Sequence, residues 1–279
     1  MRNIPTTTLP AGETIPVLGQ GTWMMGERAD RKREVDALRL GIELGMTLID
    51  TAEMYGSGLS EELVGEAVGA DRENCFIVSK VLPSNASAAG TVAACERSLR
   101  HLRMDVIDLY LLHWQGSHPL EATIEGFERL REQGKIRHWG VSNFDLADMQ
   151  ELVETPGGEA CQVNQVLYNL TRRGIEYDLL EWSRGRGMPI MAYSPIEQGR
   201  LSRSRELQRI ADDKGVTPAQ VALAFVLSRE GVIAIPKAST ELHVRENRAA
   251  MDVELTTDDL AALDLAFSPP RRRQPLEMI

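Results

Sequence analysis

Apolar and polar positions vary along this chain on two length scales. Eight short runs are apolar for most of their length: Leu18–Trp23, Thr47–Asp50, Cys75–Lys80, Val106–His113, Ile136–Ser142, Cys161–Val166, Pro189–Tyr193 and Val232–Pro236. Unbroken apolar runs this short suit strands buried on both faces, as in parallel sheets. Longer segments with helical spacing separate them. Arg31–Leu44 places Val35, Leu38 and Ile42 on one face and stops at Gly45. Ser60 stands as the N-cap of a helix with Glu61 and Glu62 in its first turn, ending at Gly69. Pro119 opens a helix whose buried stripe is Leu120, Ile124, Phe127 and Leu130, with Gly134 just past its end. Thr217-Pro218-Ala219-Gln220 combines a cap, a first-turn proline and a glutamine able to close a capping box. Gly187, Gly215 and Gly231 also follow helical segments, where a left-handed stop costs glycine least.

Eight alternating β and α units predict an α/β fold of the (β/α)8 TIM-barrel type. An open doubly wound sheet is the competing arrangement. It would usually carry a glycine-rich phosphate turn after its first strand, and Gly19-Gln20-Gly21-Thr22-Trp23 is not such a turn. Thr6–Pro16 predicts an N-terminal β-hairpin able to plug the barrel bottom, and extra C-terminal helices are expected after the eighth strand. At about 150 residues per domain, 279 residues would suggest two domains. Eight repeated units are better explained as one barrel spanning 1–279.

Composition narrows the partners. The chain is 43% hydrophobic and 26% charged, enough for a large core and against wholesale disorder. Basic residues number 31 against 41 acidic, a net charge of −10, so nucleic acid is not an expected partner. The longest apolar stretch, Val221–Leu227, falls far short of the roughly 20 residues of a membrane span, and residues 1–5 hold no signal-like run. Cys75, Cys95 and Cys161 are widely spaced without a CxxC, which fits a reducing compartment, the cytoplasm. No membrane partner is expected.

In a TIM barrel the chemistry sits at the C-terminal strand ends. Here the second run closes on Asp50, with Tyr55 in the following loop. The third closes on Lys80, the fourth on His113 and the fifth on Ser142-Asn143. The sixth carries Gln165, the seventh closes on Tyr193-Ser194 and the eighth reaches Lys237. Each residue alone has an ordinary structural explanation, as a loop cap or a solvated charge. Asp, Tyr, Lys and His converging on one mouth form a proton-transfer device. A free phenol titrates near ~10, and a neighbouring ammonium such as that of Lys80 lowers that value. Asp50 can hold Lys80 in place, and His113 can hydrogen-bond the carbonyl oxygen that Tyr55 protonates. The set suits carbonyl reduction. No Ser or Cys nucleophile lies beside a base, and no metal-ligand spacing such as HExxH occurs.

These residues resemble the aldo-keto reductase family over essentially the whole chain. The resemblance is carried by Leu48-Ile49-Asp50-Thr51-Ala52-Glu53-Met54-Tyr55-Gly56, Val78-Ser79-Lys80 and Asp108-Leu109-Tyr110-Leu111-Leu112-His113. Gly134-Lys135-Ile136-Arg137 followed by Gly140-Val141-Ser142-Asn143, Ala192-Tyr193-Ser194-Pro195 and Ile235-Pro236-Lys237 extend it. The chain looks most similar to small bacterial members that reduce methylglyoxal and related dicarbonyls.

The resemblance implies NADPH (NADP+) bound across the barrel mouth without a Rossmann motif. Tyr55 would be the proton donor, tuned by Asp50 and Lys80, with His113 orienting a small carbonyl substrate. Ser142, Asn143 and Gln165 would hold the nicotinamide carboxamide, and Tyr193, followed by Ser194 and Pro195, would stack on its ring. Gly21, Thr22 and Trp23 would also approach the cofactor. Lys237, Ser239 and Thr240 would meet the 2′-phosphate, and Glu246 and Asn247 the adenine. Where many relatives place an arginine, this chain has His243, which lacks the permanent charge and planar fork of a guanidinium. NADH therefore remains an admissible cofactor, and Arg245 is either a substitute or a solvated helix residue. A monomer is the family-like expectation.

Trp23 and Trp114 follow strand ends and are expected to wall the substrate pocket, whereas Trp139 and Trp182 are assigned to packing. The short tail after Phe267 suggests an open site. A cofactor-bound redox sensor with little turnover is the alternative function, and an unrelated barrel hydrolase or isomerase a third.

Overall fold

In the computed structural model, residues 3–27 and 30–279 are described, so the first two residues of the segment expected to lack a signal run lie outside the described residues. Two short antiparallel strands, β1 (Thr6–Thr8) and β2 (Thr14–Pro16), precede a sheet of eight parallel strands. These are β3 (Gln20–Gly21), β4 (Leu48–Asp50), β5 (Phe76–Val81), β6 (Ile107–Leu112), β7 (Ile136–Ser142), β8 (Asn164–Leu167), β9 (Ile190–Tyr193) and β10 (Val232–Ala234). They neighbour one another in chain order. The ring is closed by bridges Leu18–Ala234 and Gly21–Lys237, with the Gly19 amide donating to the Ala234 carbonyl at 2.9 Å.

Closure requires glycine at one point. A Cβ on Gly21 would lie 2.7 Å from the Ile235 carbonyl oxygen, backbone that cannot swing aside. Gly21→Ala is therefore expected to destabilise the protein by about 1–3 kcal/mol, the usual range for overpacking, measured as a lower denaturation midpoint in guanidinium.

Ten helices among the described residues surround the ring: α1 (Arg31–Glu43), α2 (Leu59–Val68), α3 (Ala88–Leu102), α4 (Leu120–Glu132), α5 (Leu146–Glu154), α6 (Leu179–Arg184), α7 (Arg205–Lys214), α8 (Pro218–Leu227), α9 (Glu241–Ala249) and α10 (Thr257–Ala266). The expected Thr217–Gln220 capping box is formed at α8. None of these helices is long and apolar enough to cross a membrane. The helical segment expected before Gly215 is α7, capped by Ser204 and stopped by Gly215 at φ +67°; it precedes α8 and adds a helix to the plain alternation.

One capping expectation fails. The N-cap of α2 is Gly58, at φ +97°, and Ser60 lies inside the helix. The Ser60 hydroxyl is fully buried, donates to Thr22 Oγ1 at 2.7 Å and accepts from Thr51 Oγ1. A buried hydroxyl needs partners more than a helix end open to the left-handed glycine turn needs a cap.

Side chains alternate between two faces of each strand. One parity points into the barrel, where Leu48, Val78, Leu109, Leu111, Val163, Met191 and Ile233 form an apolar cluster sealed below by Leu9 and Ile15 of the hairpin. The hairpin therefore plugs the barrel, as expected. The other parity, including Ile49, Ile77, Tyr110 and Leu112, packs with the helices. Two residues beyond the inner apolar layer, the same parity reaches Asp50, Lys80, His113, Gln165, Tyr193 and Ile235. The layer that is apolar below becomes mostly polar at one rim.

Candidate active site

At that rim the Lys80 ammonium, wholly buried, is the hub. It donates to Asp50 Oδ1 and Oδ2 at 2.8 and 2.9 Å, to the Thr51 carbonyl at 2.8 Å and to the Tyr55 hydroxyl at 3.3 Å. Asp50 Oδ1 also accepts from Gln165 Nε2 at 2.7 Å. Tyr55 is brought back over the barrel by a tight turn in which Gly56 and Ser57 take positive φ and the Tyr55 amide donates to the Ala52 carbonyl. Its ring meets His113 edge-on at 5.8 Å, and His113 leans on Trp114 at 4.9 Å. The four expected catalytic residues thus form one connected group.

Electrostatics in this group differ in one respect from the sequence reading. Lys80 does not lower the Tyr55 pKa. Burial first, and then the Asp50 carboxylate, push the phenol well above its ordinary range. The reason is that the Lys80 charge is already held by Asp50, while burial disfavours any further ionised group. Burial likewise pulls Lys80 down, against the opposing effect of Asp50. The phenol keeps its proton at neutral pH, which is the form a proton donor needs.

His113 is held neutral. Burial, and secondarily the Lys80 charge, lower its pKa from 6.5 to about 2. Its Nδ1 is buried without a partner, which leaves Nε2 as the ring nitrogen able to meet a ligand. Because the folded value lies below the unfolded one, the unfolded chain binds the extra proton between them. The stability from neutral burial is therefore full above pH 6.5 and lost progressively as pH falls towards 2. In His113→Asn, stability is expected to fall less steeply over pH 6 to about 3 than in the unchanged protein, read from urea midpoints at each pH.

These groups open onto a cleft of about 1740 Å³, counting space open to solvent. Gly21, Trp23, Trp114, Ser142, Asn143, Gln165, Tyr193, Ser194 and Pro195 line it, and so do Lys237, His243, Glu246 and Asn247. Asn143, at φ +60°, donates from Nδ2 to the His113 carbonyl at 3.0 Å and accepts the Tyr193 hydroxyl on Oδ1 at 2.9 Å. The Ser142 hydroxyl donates to the Gln165 carbonyl at 2.8 Å. Asn169 fixes the loop after Tyr193, donating to the Ser194 carbonyl and to Glu197 Oε2.

Three expected contact residues do not line the cleft. Thr22 is fully buried, its hydroxyl donating to the Asp50 carbonyl at 2.9 Å. Thr240 caps α9, accepting from the His243 amide. Ser239 lies beyond Lys237, whose Nζ is 3.4 Å from its Oγ. Trp139 is core, stacked on Phe127 at 5.2 Å, and Trp182 packs under Arg186, both as assigned.

The cleft also holds residues that the sequence pattern did not single out: Met24, Met54, Gln198, Met278 and Ile279. Met24 and Met54 adjoin Trp23 and Tyr55, a neighbourhood that could have flagged them. Met278 and Ile279 show that the short tail still reaches the cleft and forms part of its wall. Ion pairs of Glu277 with Arg172 and of Arg273 with Asp178 lay the tail along the barrel, so its last residues reach the mouth. Among the described residues, no cluster of His, Cys, Asp and Glu is placed to hold a metal ion.

Comparison with known proteins gives consistent neighbours. Residues 17–266 match the model of the aldo/keto reductase family. The chain is 54% identical over 272 residues to the methylglyoxal reductase YeaE of Escherichia coli, covering 95% of this chain and 96% of that protein. It is 34% identical to a glyoxal reductase of Bacillus subtilis, covering 93% and 91%. Among solved structures, an aldo-keto reductase of Klebsiella pneumoniae in complex with NADPH superposes with a TM-score of 0.97 at 48% identity, covering all of both chains.

Proposed function

This chain belongs to the aldo/keto reductase family, and from that premise we propose that it reduces small aldehydes, dicarbonyls of the methylglyoxal type or ketones to alcohols with NADPH. The observation that carries this reading is the Tyr55 hydroxyl, 3.3 Å from the buried Lys80 ammonium and edge-on to His113 at the floor of the cleft.

Bound NADPH supplies the hydride. The residues present fit that group: a cleft that runs from the catalytic rim to Lys237, and a lysine with no ion-pair partner among the described residues at its far end. Ser142, Asn143 and Gln165 would hold the nicotinamide carboxamide and Tyr193 its ring, with Gly21 and Trp23 alongside. Lys237, with Ser239 and Thr240 behind it, would meet the 2′-phosphate, and Glu246 and Asn247 the adenine.

The chain's own residues do the rest. His113, kept neutral, donates from Nε2 to the substrate carbonyl oxygen and aims it at Tyr55. Tyr55 delivers its proton to that oxygen as negative charge develops there. The Lys80–Asp50 pair, braced by Gln165, holds an ammonium 3.3 Å from the phenolic oxygen and so fixes that oxygen in place for the proton transfer. Trp23 and Trp114 supply apolar walls that exclude water from the carbonyl.

The reading takes residues 1–279 as one barrel acting as a monomer, and places it in the cytoplasm. Three free, buried cysteines support that compartment. The test is NADPH oxidation followed over a panel of carbonyls, with NADH in parallel. Steady turnover of methylglyoxal or short aldehydes is expected; cofactor binding without turnover on any carbonyl would favour a sensor instead.

A further inference from the structure

Position 243 carries an imidazole, so a permanent positive charge near the cofactor's 2′-phosphate has to come from elsewhere. Lys237 is one source. The structure brings a second from a distant part of the chain. Arg33, in the first turn of α1, extends to the loop between β10 and α9, where its Nε donates to the Ser239 carbonyl at 3.1 Å. Lys237 approaches the same residue from its side-chain end. Two cations thus converge on Ser239 from opposite ends of the sequence.

Neither cation is neutralised. Many arginines of this acidic chain are in ion pairs, among them Arg31, Arg72, Arg97, Arg172 and Arg173. Among the described residues, Arg33 and Lys237 make none, and both are exposed. Beside Arg33 in the sequence, Asp30 Oδ1 accepts from the Arg33 backbone amide and Glu34 Oε2 from the Gly26 amide, and neither is paired with the Arg33 guanidinium. Arg245 is a weaker candidate. Like Arg33 it is exposed and outside the cleft lining, but among the described residues no hydrogen bond ties it to the Ser239 loop, where Arg33 is anchored.

We propose that Arg33 is a specificity-determining residue that pairs with the 2′-phosphate of NADPH together with Lys237, in place of an arginine at position 243. The proposal rests on the reading of this chain as an NADPH-dependent reductase. With Nε anchored on a carbonyl, the Arg33 guanidinium keeps its two terminal nitrogens as a planar fork, the geometry that matches phosphate oxygens two at a time. NADH has a hydroxyl there and gains nothing from the fork, so Arg33 favours one cofactor over the other without touching the reacting atoms.

The test is binding, not turnover. Quenching of the fluorescence of Trp23 and Trp114, which line the cleft, gives dissociation constants for NADPH and NADH. Arg33→Ala is expected to weaken NADPH about tenfold and NADH less than about twofold, the size of one lost charge-assisted contact at an exposed site. The salt dependence of NADPH binding should flatten in the same variant. Adding His243→Arg to Arg33→Ala should restore NADPH affinity, which a merely structural loss at α1 would not allow. Equal weakening of both cofactors, or none, overturns the assignment. If the unchanged protein binds NADPH and reduces carbonyls while Arg33→Ala binds NADPH as well as it does, only Arg33 is wrong. If the unchanged protein binds neither cofactor, the reductase reading falls, and the role of Arg33 with it.

Discussion

Tyr55→Phe is expected to lower kcat for carbonyl reduction by about a thousandfold or more, within the range contributed by a positioned general acid, while NADPH affinity stays within about twofold. The substitution removes one oxygen and leaves the ring against His113. Lys80 loses its contact to the phenol but keeps Asp50 and the Thr51 carbonyl, so the buried pair stays satisfied and the fold should hold. Burial keeps the phenol protonated well into the alkaline range, so in the unchanged protein reduction should show no loss attributable to Tyr55 between pH 6 and 9. Stopped-flow reduction of methylglyoxal, with cofactor binding measured separately, checks both parts. Near-normal kcat in the phenylalanine variant would sink the mechanism.

The second large effect concerns the pair beneath Tyr55. Lys80→Met should destabilise the protein by about 3–5 kcal/mol, the usual cost of leaving a buried charge without its partner. Asp50 would then retain only the Gln165 amide, too little to satisfy a carboxylate almost wholly shielded from water. Asp50→Asn combined with Lys80→Met should be markedly milder than the sum of the single changes, because removing both charges leaves no orphan. Guanidinium denaturation of the two single variants and the double one measures the coupling. Strict additivity would mean that the two charges do not depend on each other, contrary to the 2.8 Å contact. The double variant should still lack activity, since no ammonium would face Tyr55.

Most of the site was legible in the sequence because it follows from alternation. Asp50, Lys80, His113 and Gln165 sit two residues beyond inward apolar positions of their own strands. Tyr193 and Lys237 continue the same parity. The scarce aromatics were informative for the same reason: Trp23, Tyr55, Trp114 and Tyr193 all reach the cleft. Thr22 shows where position alone misleads. It adjoins the right strand end, but its small hydroxyl satisfies the Asp50 carbonyl and does not face a ligand.

What the sequence determined by itself was local: eight apolar strands, their order, the helix stops and the parity that carries polar groups to one rim. These depend on spacings of two to four residues, which a linear chain displays directly. Tertiary structure alone decided three things. Closure packed strands and loops around the half-buried Tyr55 closely enough that its pKa rises despite the Lys80 ammonium beside it, because desolvation reflects every surrounding element. Packing turned Ser60 from a helix cap into a partner of Thr22. Juxtaposition across more than two hundred residues set Arg33 on Ser239, and across about one hundred set Glu277 on Arg172, bringing the tail to the mouth. Such contacts have no period in the chain, since they exist only once the ring has closed and brought its ends together.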